Sequence, residues 1–168
     1  MKKVFTSVLI ASLLLISLTV GGCTSQKGFA IYLTRQDTPV SAMPALSHVE
    51  LADEPIISID DIISYTEETH EIELTADAYE RVTKLEVPTS GMAFIVCINR
   101  QPIYWGAFWT PISSQSFDGV TIMLPPFPSG EHLIQIELGY PSPGFYGGED
   151  PRSSPEILQS LEQAGKLK

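Results

Sequence analysis

Residues 71–109 read EIELTADAYERVTKLEVPTSGMAFIVCINRQPIYWGAFW, from Glu71 to Trp109. Their pattern decides the fold class. Glu71–Leu74 alternates polar and apolar, the signature of a strand with one wet and one dry face. Thr75 then caps a helix over Ala76–Leu85, with Ala78, Val82 and Leu85 as its inward stripe and Tyr79 beside it. Asp77–Arg81 and Glu80–Lys84 are spaced as i,i+4 pairs on its outer side. Pro88 and Gly91 end the element. Met92–Ile98 is apolar on both faces, as in a strand covered on two sides. Asn99-Arg100 reads as a two-residue hairpin turn, and Ile103–Trp109 as the returning strand, with Gly106 marking a bulge. Strand alternation puts Tyr104 and Phe108 on one face and Trp105 and Trp109 on the other.

Working outward, Phe29–Thr34 is a strand with Phe29, Ile31 and Leu33 on one side and Ala30 and Tyr32 on the other. Val49 and Leu51 start a short strand, and Ser58 caps a single helical turn carrying Asp60 and Asp61. Residues 62–66 and 71–74 form a hairpin. Val120–Leu124 and Glu131–Leu138 are further strands, with a stiff loop over Pro125–Gly130 between them. The turn-rich stretch 139–155 carries Tyr140, Phe145 and Tyr146 and is expected to pack back on the domain. Pro155 opens a second short helix, capped by Ser154 and ended by Gly165. Residues 29–168 are therefore expected to form one α+β domain, a sheet-dominated two-layer sandwich with two short helices.

The N-terminus sets the compartment. Lys2 and Lys3 precede an apolar run from Val8 to Val20, too short for a membrane span and typical of a signal peptide. Val20-Gly21-Gly22-Cys23 follows and resembles the lipobox of prokaryotic lipoproteins. That resemblance implies a signal peptide over 1–22, cleavage before Cys23, acylation of Cys23 and a short lipidated tether over 23–28. The protein would then sit at the extracytoplasmic face of the cell membrane or outer membrane, with the bilayer as its first partner. Thr24–Lys27 spans at most ~14 Å when extended, so the domain would lie close to that surface. The formal net charge is −10, and losing Lys2 and Lys3 makes it more negative. Such a surface repels nucleic acid and anionic headgroups, so the lipid must do the anchoring. With Cys23 acylated, Cys97 has no disulfide partner and reads as a small buried hydrophobe.

The run Glu71-Ile72-Glu73-Leu74-Thr75, a helix, and then Ala93–Ile98, Asn99-Arg100 and Gln101-Pro102-Ile103 is similar in pattern to the periplasmic region of SecD-type export proteins. The resemblance covers about a third of the chain and implies a ferredoxin-like sandwich. Asn99-Arg100 stands where that family has Asp-Gly.

Chemistry is sparse. No Gly-x-Ser-x-Gly, phosphate-cradling loop, zinc spacing or haem motif is present, and no cofactor or metal site is expected. Glu67-Glu68-Thr69-His70-Glu71 reads as a solvated acidic hairpin tip. The aromatic cluster Tyr104, Trp105, Phe108 and Trp109 is the candidate binding surface, against the simpler reading that it fills the core. The expected function is a non-catalytic binding or accessory component of the cell envelope, with an envelope protein or polymer as partner. The alternative is a small envelope hydrolase using carboxylate and histidine chemistry. An enzyme requires His70 or His132 within hydrogen-bond reach of a carboxylate in a cleft. A binding module requires tryptophan or tyrosine open on a sheet face or edge.

Overall fold

The computed structural model describes residues 27–36, 38–124 and 130–168. The expected signal peptide, Cys23 and most of the Pro125–Gly130 loop lie outside them. The described chain forms eight strands and two α-helices: β1 (Phe29–Leu33), β2 (Ile57–Ser58), β3 (Ile62–Thr66), β4 (Glu71–Leu74), α1 (Ala76–Thr83), β5 (Met92–Ile98), β6 (Gln101–Trp109), β7 (Phe117–Met123), β8 (Leu133–Tyr140) and α2 (Pro155–Gln163). The α+β, sheet-dominated class is as expected.

All eight strands join one sheet in the order β2-β1-β5-β6-β7-β8-β4-β3. Every pairing is antiparallel except β6 with β7, which is parallel. β2 and β3 stand at opposite ends of that order, yet only the 3-10 turn Ile59–Asp61 joins them. Four residue steps reach at most ~14 Å, whereas a flat eight-stranded sheet is roughly 34 Å across. The sheet must therefore curl so that its two edges approach each other, giving a half-barrel. The C-terminus covers the β3 edge, where Leu167 bridges to Tyr65 in parallel and the Tyr65 amide donates to the Lys166 carbonyl at 2.7 Å.

The strand order departs from a ferredoxin-like βαββαβ unit, in which two strands separate the helices. Here four strands do. β4 and β5, which flank α1, are themselves separated by β6, β7 and β8.

Several local features follow the sequence. Asn99 and Arg100 both adopt positive φ, 51° and 64°, closing the β5–β6 hairpin. The Thr75 hydroxyl accepts from the Ala78 amide at the start of α1. His70 takes the positive φ, 54°, that turns β3 into β4 without a glycine. Others differ. Arg81 pairs with Asp61 at 2.9 Å and donates to the Ile56 carbonyl, so the Asp77–Arg81 pair does not form. Asp61 caps its own turn by accepting from the Ser58 amide and hydroxyl, both at 2.7 Å. Although burial pushes the Asp61 pKa up, the Ser58 bonds and Arg81 together hold it below the usual carboxylate value. Gly106 marks no bulge; the extra residue is Ile103, left unpaired between the Val96↔Tyr104 and Cys97↔Pro102 pairs.

The principal core lies on the face that carries both helices. Phe29, Ile31, Phe94, Phe108 and Ile122 from the sheet meet Ala78 and Val82 of α1 and Ile157 and Leu161 of α2. On the reverse face Ala30, Tyr32, Ile95 and Cys97 are covered by Leu46, Val49 and Leu51. Beside them Ala107, Trp109 and Phe117 are covered by Val40, Met123 and Tyr140. Cys97 is fully buried, and burial pushes its thiol up to about 12, which suits packing rather than nucleophilic chemistry. No helix among the described residues is long and apolar enough to cross a membrane.

Candidate functional site: an aromatic groove where two strands part

The faces of β6 are as the alternation requires. Tyr104 and Phe108 belong to the principal core, whereas Trp105 and Trp109 pack on the reverse side. Phe108 and Trp109 are sealed in, at 0% and 2% exposure, and offer no free surface. Trp109 stacks on Phe117 with ring centroids 5.2 Å apart and planes 11° apart. Tyr104, at 6% exposure, also packs in the core, so three of the four candidate aromatic residues are buried and only Trp105 is half-buried.

Trp105 remains. β6 and β7 pair only from Gly106↔Val120 onward. Before that rung the strands part, and a register shift between Phe117 and Val120 takes Asp118 and Gly119 out of the β7–β8 ladder. A groove of about 270 Å³ opens in the gap. Trp105, Tyr104 and Asp118 line it from the strands, and Tyr146, Gly147 and Pro151 from the segment after β8. That segment is held in place because the Gly147 amide donates to the Asp118 carbonyl at 3.0 Å. The Tyr146 hydroxyl donates to the Glu149 carbonyl at 2.5 Å. Arg152 grips Asp150 through two bonds of 2.7 and 2.9 Å and donates to the Ile136 carbonyl.

Tyr104 borders the groove from the core side. It is only 6% exposed, packs in the principal core, and its hydroxyl makes no hydrogen bond to a described residue. Burial holds its pKa well above 10, with Tyr65 adding to the shift, so it is a neutral donor and acceptor.

The histidines do not build an acid–base site. The His70 Nδ1 is 2.8 Å from the Tyr65 hydroxyl. His132 lies against the Tyr79 ring, centroids 5.3 Å apart. Neither makes an ion pair or hydrogen bond with a carboxylate among the described residues. Nor do three His, Cys, Asp or Glu side chains converge there as metal ligands. Serine catalysis fares no better, since the Ser113 hydroxyl donates to the Thr89 carbonyl at 2.6 Å.

Burial, followed by the Arg152 cation, holds the His70 pKa below the ordinary imidazole value. The folded chain thus refuses a proton that the unfolded chain accepts. Stability is fully present above about pH 6.5 and falls as pH drops from there toward the folded value. The His70→Asn substitution tolerates the positive φ and removes the titration. In urea titrations at about pH 7.5 and pH 5, the midpoint of this variant should shift less between the two than that of wild type. An equal shift would assign the acid sensitivity elsewhere.

The tyrosines give a second pair of outcomes. Tyr65→Phe leaves buried His70 without its partner and should cost about 1–2 kcal/mol. Tyr104→Phe removes a hydroxyl bonded to nothing in the fold and should change stability by less than about 0.5 kcal/mol. Urea midpoints check both. A large loss for Tyr104→Phe would mean that its hydroxyl supports the fold.

A larger concavity, about 480 Å³, lies where the chain enters at Lys27 and Gly28, between Asn99 and the outer side of α2. Its polar side chains Glu156, Gln159 and Gln163 are exposed and reach solvent directly. No unpartnered buried group points to a ligand there.

No family model matches this chain. No curated protein and no solved structure is significantly similar to it. The groove is therefore read on its own chemistry.

Proposed function

We propose that this chain is a non-catalytic binding component of a bacterial cell envelope, using the groove between β6 and β7 as its ligand site. It would be exported by the signal peptide over 1–22, acylated at Cys23, and held at the extracytoplasmic face of the cell membrane or outer membrane. The observation that carries the binding role is the groove itself: β6 and β7 part before the Gly106↔Val120 rung, and half-buried Trp105 lines the gap with Tyr146 and exposed Asp118. The lipobox-like Val20-Gly21-Gly22-Cys23 supports the anchor. Gly28, five residues after Cys23, is already tied to the domain, its amide donating to Asn99 Oδ1 at 2.8 Å, which supports a short reach. No observation favours the hydrolase alternative. The kinship with export proteins rests on residues 71–103 alone and does not enter this reading.

Two measurements test it. Cys23→Ala should move the protein from the membrane fraction to the soluble fraction; unchanged membrane retention and unchanged mass would defeat the anchor. For the groove, the sequence holds two tryptophans, so 5-fluorotryptophan labelling gives two fluorine resonances. Solubilised envelope material should shift the Trp105 resonance and leave that of sealed Trp109 in place. Movement of neither would remove the binding role.

A further inference from the structure

We propose that residues 38–51 form a flap that opens off the reverse face of the sheet, as a minor form, while the rest of the domain stays folded; this stands apart from the binding reading above. Three observations carry it. First, among the described residues the flap is hydrogen-bonded to the sheet only where it leaves and rejoins β1. The Thr38 amide donates to the Thr34 hydroxyl, the Arg35 amide to the Glu50 carbonyl and the Ala52 amide to the Leu33 carbonyl, each at 2.9 Å. From Pro39 to Val49 the backbone bonds close only the flap's own turns: Ala42 to Pro39, His48 to Ala45 and Val49 to Leu46. No ion pair joins that stretch to another described residue. Pro39 and Pro44 have no amide to give.

Second, the remaining hold is apolar and shallow. Val40 packs on the cluster of Trp109, and Leu46, Val49 and Leu51 on that of Tyr32 and Cys97. Yet every residue of 38–51 is exposed or half-buried. Lifting the flap leaves the principal core, on the other face, untouched. Opening therefore costs a fraction of what unfolding costs.

Third, the closed form leaves polar groups unpaired. Three buried side-chain polar atoms lack a partner among the described residues. Two of them, the Tyr32 hydroxyl and the Trp109 indole N–H, belong to the clusters beneath this flap. Native interiors pair such groups. Water reaches both once the flap lifts, so opening recovers hydrogen bonds that closure forgoes. Leu46 also lines the groove beside Trp105, so the open form joins that gap to the bared sheet face.

Cys97 reports on the flap. It is fully buried beneath it, and the sequence holds one other cysteine, Cys23. Burial pushes the Cys97 thiol up to about 12, so the closed form is unreactive. In the full chain carrying Cys23→Ala, labelling of Cys97 by a soluble disulfide reagent is followed below the urea midpoint. It should run at least about tenfold faster than global unfolding allows and depend weakly on urea, because little surface opens. Val49→Ala, which trims the flap's hold, should speed labelling about three- to fivefold. Ile157→Val, in α2 on the opposite face, should lower the urea midpoint and leave labelling unchanged. Labelling that rises with Ile157→Val as the midpoint falls follows global unfolding and overturns the flap. Local labelling that Val49→Ala leaves unchanged overturns it too, since another element would then expose the thiol.

Discussion

Replacing Trp109 with alanine is expected to cost about 3–5 kcal/mol of folding stability. Its ring is 2% exposed, stacks on Phe117 at 5.2 Å and meets Tyr140 at 5.7 Å. It also lies flat against Gly91, where an added Cβ would come within 2.2 Å of it. Truncation leaves a cavity that Phe117, Val40 and Met123 line and cannot fill. For a domain whose whole stability is about 5–15 kcal/mol, that loss brings the chain close to unfolding. Trp109→Phe is the control. It keeps the stacking and removes an indole N–H that is buried without a partner, so it should stay within about 1.5 kcal/mol of wild type. Urea titration checks both. A loss below about 1.5 kcal/mol for Trp109→Ala would mean that the reverse face is not a packed core.

Gly106→Ala is expected to destabilise by about 2–3 kcal/mol and to weaken ligand binding as well. A Cβ at this position would lie 2.5 Å from the Val120 carbonyl oxygen and 2.6 Å from the Phe94 ring. A ring can turn aside, but a backbone carbonyl moves only with its strand. The Gly106↔Val120 pair is the first rung beyond the groove. Pushing β7 away there therefore widens the gap that Trp105 and Asp118 line. Gly144, whose nearest neighbour to an added Cβ is 3.8 Å away, should accept alanine within about 0.5 kcal/mol. Thermal melts of the two variants, and their Trp105 fluorine titrations with envelope material, give the comparison. Equal behaviour of Gly106→Ala and Gly144→Ala would contradict the close-approach account.

How much of this was legible in the sequence depends on the range of the interaction. Strand alternation is local, so the two faces of β6 and the inward sides of β1 and α1 could be read directly. Turn chemistry is local too, and Asn99-Arg100 closes its hairpin with both residues at positive φ. Which strands become neighbours is not local. The segment 110–116 reads as a loop, and nothing in it signals that β7 returns parallel to β6 rather than elsewhere in the sheet. The groove exists because of that pairing and its late start. Asp118 and Tyr146 reach it from 13 and 41 residues beyond Trp105, so no spacing rule could have grouped them. The available signal was Tyr140, Phe145 and Tyr146 in the turn-rich 139–155 stretch, which suggested packing back without saying where. Gly106 shows the same limit. A glycine in a strand signals either a bulge or a close approach, and only the neighbouring carbonyl decides between them.

The candidate surface divides in two for a physical reason. Four aromatic residues in six positions cannot all lie on an uncovered face when successive side chains alternate. The segment from Val40 to Leu51 covers the reverse face, which the sequence did not reveal, because its 3-10 turns at Val40–Ala42 and Leu46–His48 carry no periodic signature. Trp109 is closed off by that cover and by Phe117, whereas Trp105 keeps an edge at the gap.

The most direct test of the central claim is the fluorine spectrum of the mature chain labelled with 5-fluorotryptophan and titrated with solubilised envelope material. The account predicts that the Trp105 resonance at the groove moves while that of sealed Trp109 stays in place. Movement of neither, or of both together, would contradict it.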